Sequence, residues 1–157
     1  MDKIKYAFYS TKFGNVVIGF DDNYLLSVSF SDNLKYSFET TSFSDNVIKQ
    51  LREYFDGKRT KFTIPLKFDN FTEFEQQVYK ALINIPYGEV RTYKDIAIAT
   101  NHPKAYRAVG SANHKNPIPI IIPCHRVVAC NSKLGGYAYG LEFKKRLLEL
   151  ENSNFLN

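Results

Sequence analysis

The chain has 157 residues, long enough for one domain or two small ones, and its 44% apolar and 24% charged residues are those of a globular protein rather than a disordered one. No apolar run nears the ~20 residues that span a bilayer, and the opening MDKIKYAFYS lacks the long apolar stretch and cleavage site of a signal peptide. A cytoplasmic protein is therefore expected (nuclear if its cell has a nucleus), with no membrane partner.

The net charge of +5 is unevenly placed. Residues 1–85 carry 11 basic and 11 acidic side chains, whereas 86–157 carry 10 and 5. Between 91 and 133 only Asp95 opposes Arg91, Lys94, Lys104, Arg107, Lys115, Arg126 and Lys133. A basic half joined to a neutral half suits a polyanion-binding module, and equally a solvated basic face.

Residues 4–38 alternate apolar and polar side chains in four short runs, IKYAFYS, NVVIGF, LLSVSF and LKYSFE, separated by Gly, Asn and Asp. This pattern predicts an antiparallel sheet. Phe8, Phe13, Phe20, Phe30 and Phe38 are expected in its core. From about Asp45 the stripe Val47, Ile48, Leu51, Tyr54 and Phe55 predicts a helix, with Gly57 as its stop. Residues 58–70 read as a connection, or as one edge strand broken by Pro65.

A second unit opens at Thr72, whose spacing to Glu75 is that of a capping box. Phe74, Val78, Leu82 and Ile85 follow on one helical face, and Pro86-Tyr87-Gly88 ends that helix. Thr92 and Asp95 cap a short helix through Ala99. His102-Pro103 breaks the chain before a third helix over roughly 104–113. Two short helices with a tight turn, the second bearing Lys104 and Arg107, resemble a helix-turn-helix. Ala105, Ala108, Gly110, Ser111 and Ala112 make that second helix small-sided, so a backbone or a DNA groove can approach it closely.

The segment 116–130, NPIPIIIPCHRVVAC, is the most unusual. Three prolines fix φ around an Ile triplet and leave Cys124 at a kink. Free cysteines are more often inert core fillers. Pro123, His125 and Arg126 argue for a nucleophile instead, because a neighbouring cation or base lowers a thiol pKa from about 8.5. Cys130 has no such setting. Cys124, Cys130, His102, His114 and His125 show no metal-ligand spacing, and neither metal nor cofactor is expected.

The run Pro123-Cys124-His125-Arg126-Val127-Val128 resembles the active-site signature of the O6-alkylguanine-DNA alkyltransferases, or methylated-DNA–protein-cysteine methyltransferases. The likeness includes Pro86-Tyr87-Gly88-Glu89-Val90 with Tyr93, then Arg107-Ala108-Val109-Gly110, Asn116-Pro117-Ile118-Pro119, Gly136-Tyr137 and a closing helix through Glu151. It spans about residues 74–151 in the family's order. The first unit is similar mainly in length and strand content.

The resemblance implies an α+β fold: a small N-terminal antiparallel-sheet domain with a helix (1–71), then a mostly helical winged helix-turn-helix domain (72–157). It implies a monomer acting on double-stranded DNA that carries alkylated guanine. The nucleotide is flipped out and the O6-alkyl group, mainly methyl, moves to Cys124 once per molecule. O4-methylthymine is expected as a second substrate. By the same resemblance His125 and Glu151 form a proton relay through a water, Tyr93 serves guanine N3, and Asn116 ties the turn before the cysteine to the recognition helix. Arg107 fills the space left by the base. Lys104, Ala105, Ser111, Tyr93 and Arg126 join it at the DNA, with Arg126 also in a structural ion pair. Pro119, Val127, Tyr137, Ala138 and Tyr139 are implied to line the pocket. Two departures bear on pocket size: Ala138 stands where some members have Ser, and Tyr139 where many have Gly. Rival readings are a winged-helix damage-binding protein without chemistry and a Cys-His hydrolase with many turnovers.

Overall fold

The computed structural model describes residues 3–32, 35–131 and 133–153. The chain divides into two units between Lys67 and Phe68, rather than after residue 71.

In the first unit β1 (Lys5–Thr11), β2 (Gly14–Phe20) and β3 (Leu25–Phe30) form an antiparallel sheet in that order. The β1–β2 register runs from Lys5 opposite Phe20 to Thr11 opposite Gly14, whose φ of +118° glycine tolerates. β2 is central, and Val16, Val17, Ile18 and Phe20 are all buried. Phe8, Phe13, Phe30 and Phe38 are only half-buried, paired in ring contacts such as Phe13 on Phe55 at 4.5 Å.

Helix α1 (Ser42–Phe55) buries Val47, Ile48, Leu51, Tyr54 and Phe55, as its spacing predicts. It starts three residues earlier than Asp45, because Thr41 and Ser44 cap each other reciprocally. The Tyr9 hydroxyl lies 2.8 Å from Ser44 Oγ and donates to Asp45, tying β1 to this first turn.

The expected fourth strand is not one. Leu34 lies outside the described residues, and over 35–39 the chain makes a single bridge, Phe38 to Tyr6. The alternation of LKYSFE is real, but Lys35, Tyr36 and Ser37 are all exposed, so no buried face rewards continued pairing. Over 58–67 there is likewise only a bridge, Leu25 to Leu66, with the Pro65 carbonyl accepting from Leu25 N–H.

In the second unit the helices are α2 (Glu73–Ile83), α3 (Tyr93–Ala99), α4 (Tyr106–His114) and α5 (Leu141–Leu150). The boxes Thr72/Glu75 and Thr92/Asp95 both form. α4 begins two residues later than expected, and its N-cap Ala105 offers no side-chain acceptor. Asn101 takes φ +62° in the α3–α4 turn, a conformation asparagine accepts. A short parallel pair was not foreseen: β4 (Arg91–Thr92) lies beside β5 (Val127–Val128), with Arg91 opposite Val127 and Thr92 opposite Val128. It fixes the start of α3 beside the chain that follows Cys124. The architecture is that of a small antiparallel-sheet domain followed by a helical domain with a winged helix-turn-helix. Among the described residues no helix is long and apolar enough to cross a membrane.

Candidate active site

Two tight three-residue turns deliver Cys124. Ile121 N–H donates to the Pro119 carbonyl at 2.9 Å across Ile120, whose φ is +75°. Cys124 N–H donates to the Ile122 carbonyl at 2.8 Å across Pro123, at φ −80° and ψ 66°. The second is the low-energy inverse γ-turn, with φ set by proline; the first is the strained, positive-φ kind. A β-branched residue there is an outlier that packing must impose. Ile118, Ile120 and Ile122 are all buried and supply that packing.

Asn116 braces the same segment, through carboxamide bonds that stay within residues 116–122. Its Nδ2 donates to the Ile122 carbonyl at 2.8 Å and its Oδ1 accepts from Ile118 N–H at 3.0 Å. Its carboxamide also favours the Cys124 thiolate.

From Cys124 the chain turns through a 3-10 turn, Cys124–Arg126, and all three side chains are buried. Burial pushes the Cys124 thiol up to about 11, against the Asn116 carboxamide and the Lys144 charge that favour the thiolate. This corrects the expectation of a lowered pKa: the cation acting on the thiol is Lys144, and desolvation outweighs it. In this state the thiol is protonated and needs a base.

The two residues that follow Cys124, with Glu151, form a buried polar cluster. His125 Nε2 lies 2.7 Å from Glu151 Oε2, both side chains fully buried. Burial would raise the Glu151 carboxyl, but hydrogen bonds from His125 and Arg126 hold it well below the usual carboxylate range. Burial lowers the His125 pKa despite the pull of Glu151. Arg126 is the carboxylate's countercharge, with Nε to Oε1 at 2.8 Å and Nη2 to Oε2 at 3.0 Å. The imidazole is therefore neutral, donates Nε2–H to Glu151, and keeps Nδ1 as its basic nitrogen.

Arg126 is thus not on an outer face. It is buried, and its remaining Nη1 donates to the Ile85 carbonyl at the end of α2. The expected ion pair exists and leaves no guanidinium edge for DNA, which corrects its placement at the DNA.

Tyr93 opens α3 directly after Thr92, opposite Val128. Burial raises its pKa, opposed by a hydrogen bond from the Gly136 backbone and reinforced whenever Cys124 is a thiolate. The facing loop is held by Lys144, a fully buried lysine that sequence reasoning missed. Its Nζ donates to the carbonyls of Val127, Leu134 and Gly136. Burial takes its pKa down to about 8, and the nearby Cys124 opposes the drop. The available signal was its position three residues before Leu147 and four before Leu148, on the buried stripe of α5. Asn113 was missed as well: from the last turn of α4 its Nδ2 donates to the Cys124 carbonyl at 3.2 Å.

Of the expected pocket residues, Pro119 and Val127 are buried, Tyr137 and Tyr139 half-buried, and Ala138 exposed. Tyr137, Tyr139 and Phe143 form a ring cluster with centroids 5.9–6.0 Å apart. Of the expected DNA residues, Lys104, Arg107 and Ser111 are exposed and Ala105 is half-buried. Among the described residues no His/Cys/Asp/Glu cluster could hold a metal ion.

A thiol, a neutral imidazole on a carboxylate, and a phenol gathered around one loop can activate sulfur and stabilise a leaving group. Residues 73–153 match the family model of the 6-O-methylguanine DNA methyltransferase DNA-binding domain, and residues 4–68 that of its ribonuclease-like domain. The methylated-DNA–protein-cysteine methyltransferase of Methanosarcina acetivorans is 43% identical over 154 residues, covering 94% of this chain and 98% of that one. The Methanosarcina barkeri protein of the same name is 52% identical over 116 residues, 74% of this chain and 73% of that one. The crystal structure of Mycobacterium tuberculosis OGT in complex with DNA superposes with a TM-score of 0.87 at 37% identity, covering 97% of each chain. The chain belongs to the 6-O-methylguanine DNA methyltransferase family.

Proposed function

We propose that this protein repairs DNA by transferring the methyl group of O6-methylguanine directly to Cys124, once per molecule, after flipping the nucleotide out of the duplex. Membership of the family and relatives named methylated-DNA–protein-cysteine methyltransferase support the methyl transfer from DNA to a cysteine. The observation that carries it to particular residues is Cys124 beside the buried His125–Glu151–Arg126 cluster. His125 takes the thiol proton through a water. The sulfur forms its bond to the methyl carbon while the carbon–O6 bond breaks, and the electron pair passes to guanine, which Tyr93 protonates at N3. The product is a thioether with no group placed to hydrolyse it.

Double-stranded DNA is the partner and the protein acts as a monomer. Arg107 fills the vacated stack, Lys104, Ala105 and Ser111 meet the backbone, and Pro119, Val127, Tyr137, Ala138 and Tyr139 line the pocket. O4-methylthymine is a second substrate. Incubation with a methylated duplex adds one methyl to the intact mass, located on Cys124, and Cys124→Ala abolishes the gain. A label on Cys130, or methyl removal by Cys124→Ala, refutes the mechanism. Binding without any mass gain leaves a lesion-binding protein.

A further inference from the structure

Asn113 has no part in the chemistry above, yet it is buried in the last turn of α4 and bonded to the nucleophile's own carbonyl. That carbonyl also accepts the Val127 N–H that closes the 3-10 turn. The other end of the carboxamide, Oδ1, is buried with no hydrogen-bond partner among the described residues. A buried acceptor left unsatisfied makes this amide a worse occupant than an apolar side chain of its size, so stability does not account for it. The turn that carries it is anchored, because the Tyr79 hydroxyl donates to the Ala112 carbonyl at 2.8 Å. Asn116 holds the Ile122 carbonyl and Asn113 the Cys124 carbonyl, so two amides grip the two ends of the γ-turn at Pro123.

We propose that Asn113 is a positioning residue that couples α4 to Cys124, so that a duplex docked on the exposed Arg107–Ser111 face of α4 sets the direction of the sulfur. The DNA side of this rests on the function proposed above. In-line displacement tolerates little misalignment, and a small displacement lowers the rate by up to about a hundredfold. The helix that meets DNA and the atom that reacts are thereby parts of one hydrogen-bonded unit.

The test uses the full chain with Asn113→Leu, apolar and of similar size, and Asn113→Asp, which keeps the shape but, ionised at the alkaline pH of the assay, cannot donate. At saturating methylated duplex, both lose about tenfold or more in single-turnover methyl transfer, while duplex affinity is kept. Asn113→Leu melts no lower than the wild type. Wild-type transfer rates in Asn113→Leu, or a loss confined to affinity, overturn the proposal.

Capture of the Cys124 thiol by iodoacetamide, with and without undamaged duplex, reads the coupling independently of repair. Duplex changes the wild-type capture rate about fivefold or more and leaves both variants unchanged. If the wild type transfers no methyl but shows this difference, the proposed function fails and the coupling stands. If duplex leaves the wild-type rate unchanged, or changes the variants' rates as much, the coupling fails.

Discussion

Gly135 has two reasons to be glycine. Its φ is +73°, and a Cβ placed on it would lie 2.9 Å from the Tyr93 hydroxyl, 3.1 Å from the Tyr93 ring and 3.3 Å from Ala129 N. The left-handed backbone costs an L-residue roughly 1–2 kcal/mol, and the clash moves the phenol proposed to protonate the leaving base. Gly135→Ala should keep its fold, melt a few degrees lower, and transfer methyl about tenfold more slowly. In a Tyr93→Phe background the hydroxyl clash is gone, so the same substitution should slow transfer less. Equal effects in the two backgrounds would show that Gly135 acts without Tyr93.

The Tyr139 ring sits against Tyr137 and Phe143, and in the proposed function Tyr137 and Tyr139 line the pocket. A benzyl group needs a flat apolar slot beside the sulfur, and overpacking such a slot costs about 1–3 kcal/mol. Free O6-benzylguanine should therefore inactivate the protein poorly, and Tyr139→Gly should speed inactivation about tenfold. An unchanged rate in the variant removes the steric argument.

At the scale of elements, α4 presents Arg107, Ala108 and Ser111 on its exposed side and buries Val109, Ala112 and Asn113 on the other. Lys94 lies over the Tyr106 ring at 6.0 Å, adding a cation at the same end. If this is the DNA face, affinity should fall steeply with salt, as counterion release requires. Arg107→Ala should slow transfer from duplex far more than transfer from the free base. A salt-independent affinity, or equal slowing on both substrates, would move the DNA elsewhere.

The elements that were legible in the sequence share a local cause. Thr72/Glu75 and Thr92/Asp95 announce helix starts because a cap needs only residues three apart. Thr41/Ser44 works the same way but ends in Ser rather than Glu or Gln, so the start of α1 is harder to read. What stayed hidden depends on distant partners. Arg91 and Val127 pair across 36 residues, and nothing in either dipeptide marks a parallel bridge. The same holds in the site. Cys124 and His125 stand out by their local setting and Glu151 by family likeness alone, whereas Lys144 and Asn113 bond carbonyls that belong to no motif. The thiol's raised pKa is not legible in the sequence, because neighbours along the chain show charge but not the depth of burial.

One buried ionic cluster joins three parts of the second unit, and its response to acid follows from two pKa shifts of the same sign. Glu151 at the end of α5 joins His125 and Arg126 of the 3-10 turn, and Arg126 reaches the Ile85 carbonyl after α2. His125 has its folded pKa lowered below 6.5 by burial, so below pH 6.5 the unfolded chain binds a proton that the folded one resists. Glu151 has its folded pKa held well below 4.5, so below pH 4.5 the unfolded chain again binds the extra proton. Where the unfolded state binds more protons, stability rises with pH. Both contributions are present at neutral pH and are lost in turn as pH falls, the first beginning near 6.5 and the second near 4.5. The melting temperature should therefore fall in two stages between pH 7 and pH 3. Glu151→Gln removes the second stage and leaves Arg126 buried without its countercharge, a loss of about 3–5 kcal/mol at pH 7. Its deficit against the wild type should be largest at pH 7 and shrink toward pH 3. These groups all lie in the second unit, so a separate transition of the first unit should not follow this pattern. Melting curves of wild type and Glu151→Gln that run parallel across this range would show that the cluster does not govern acid stability.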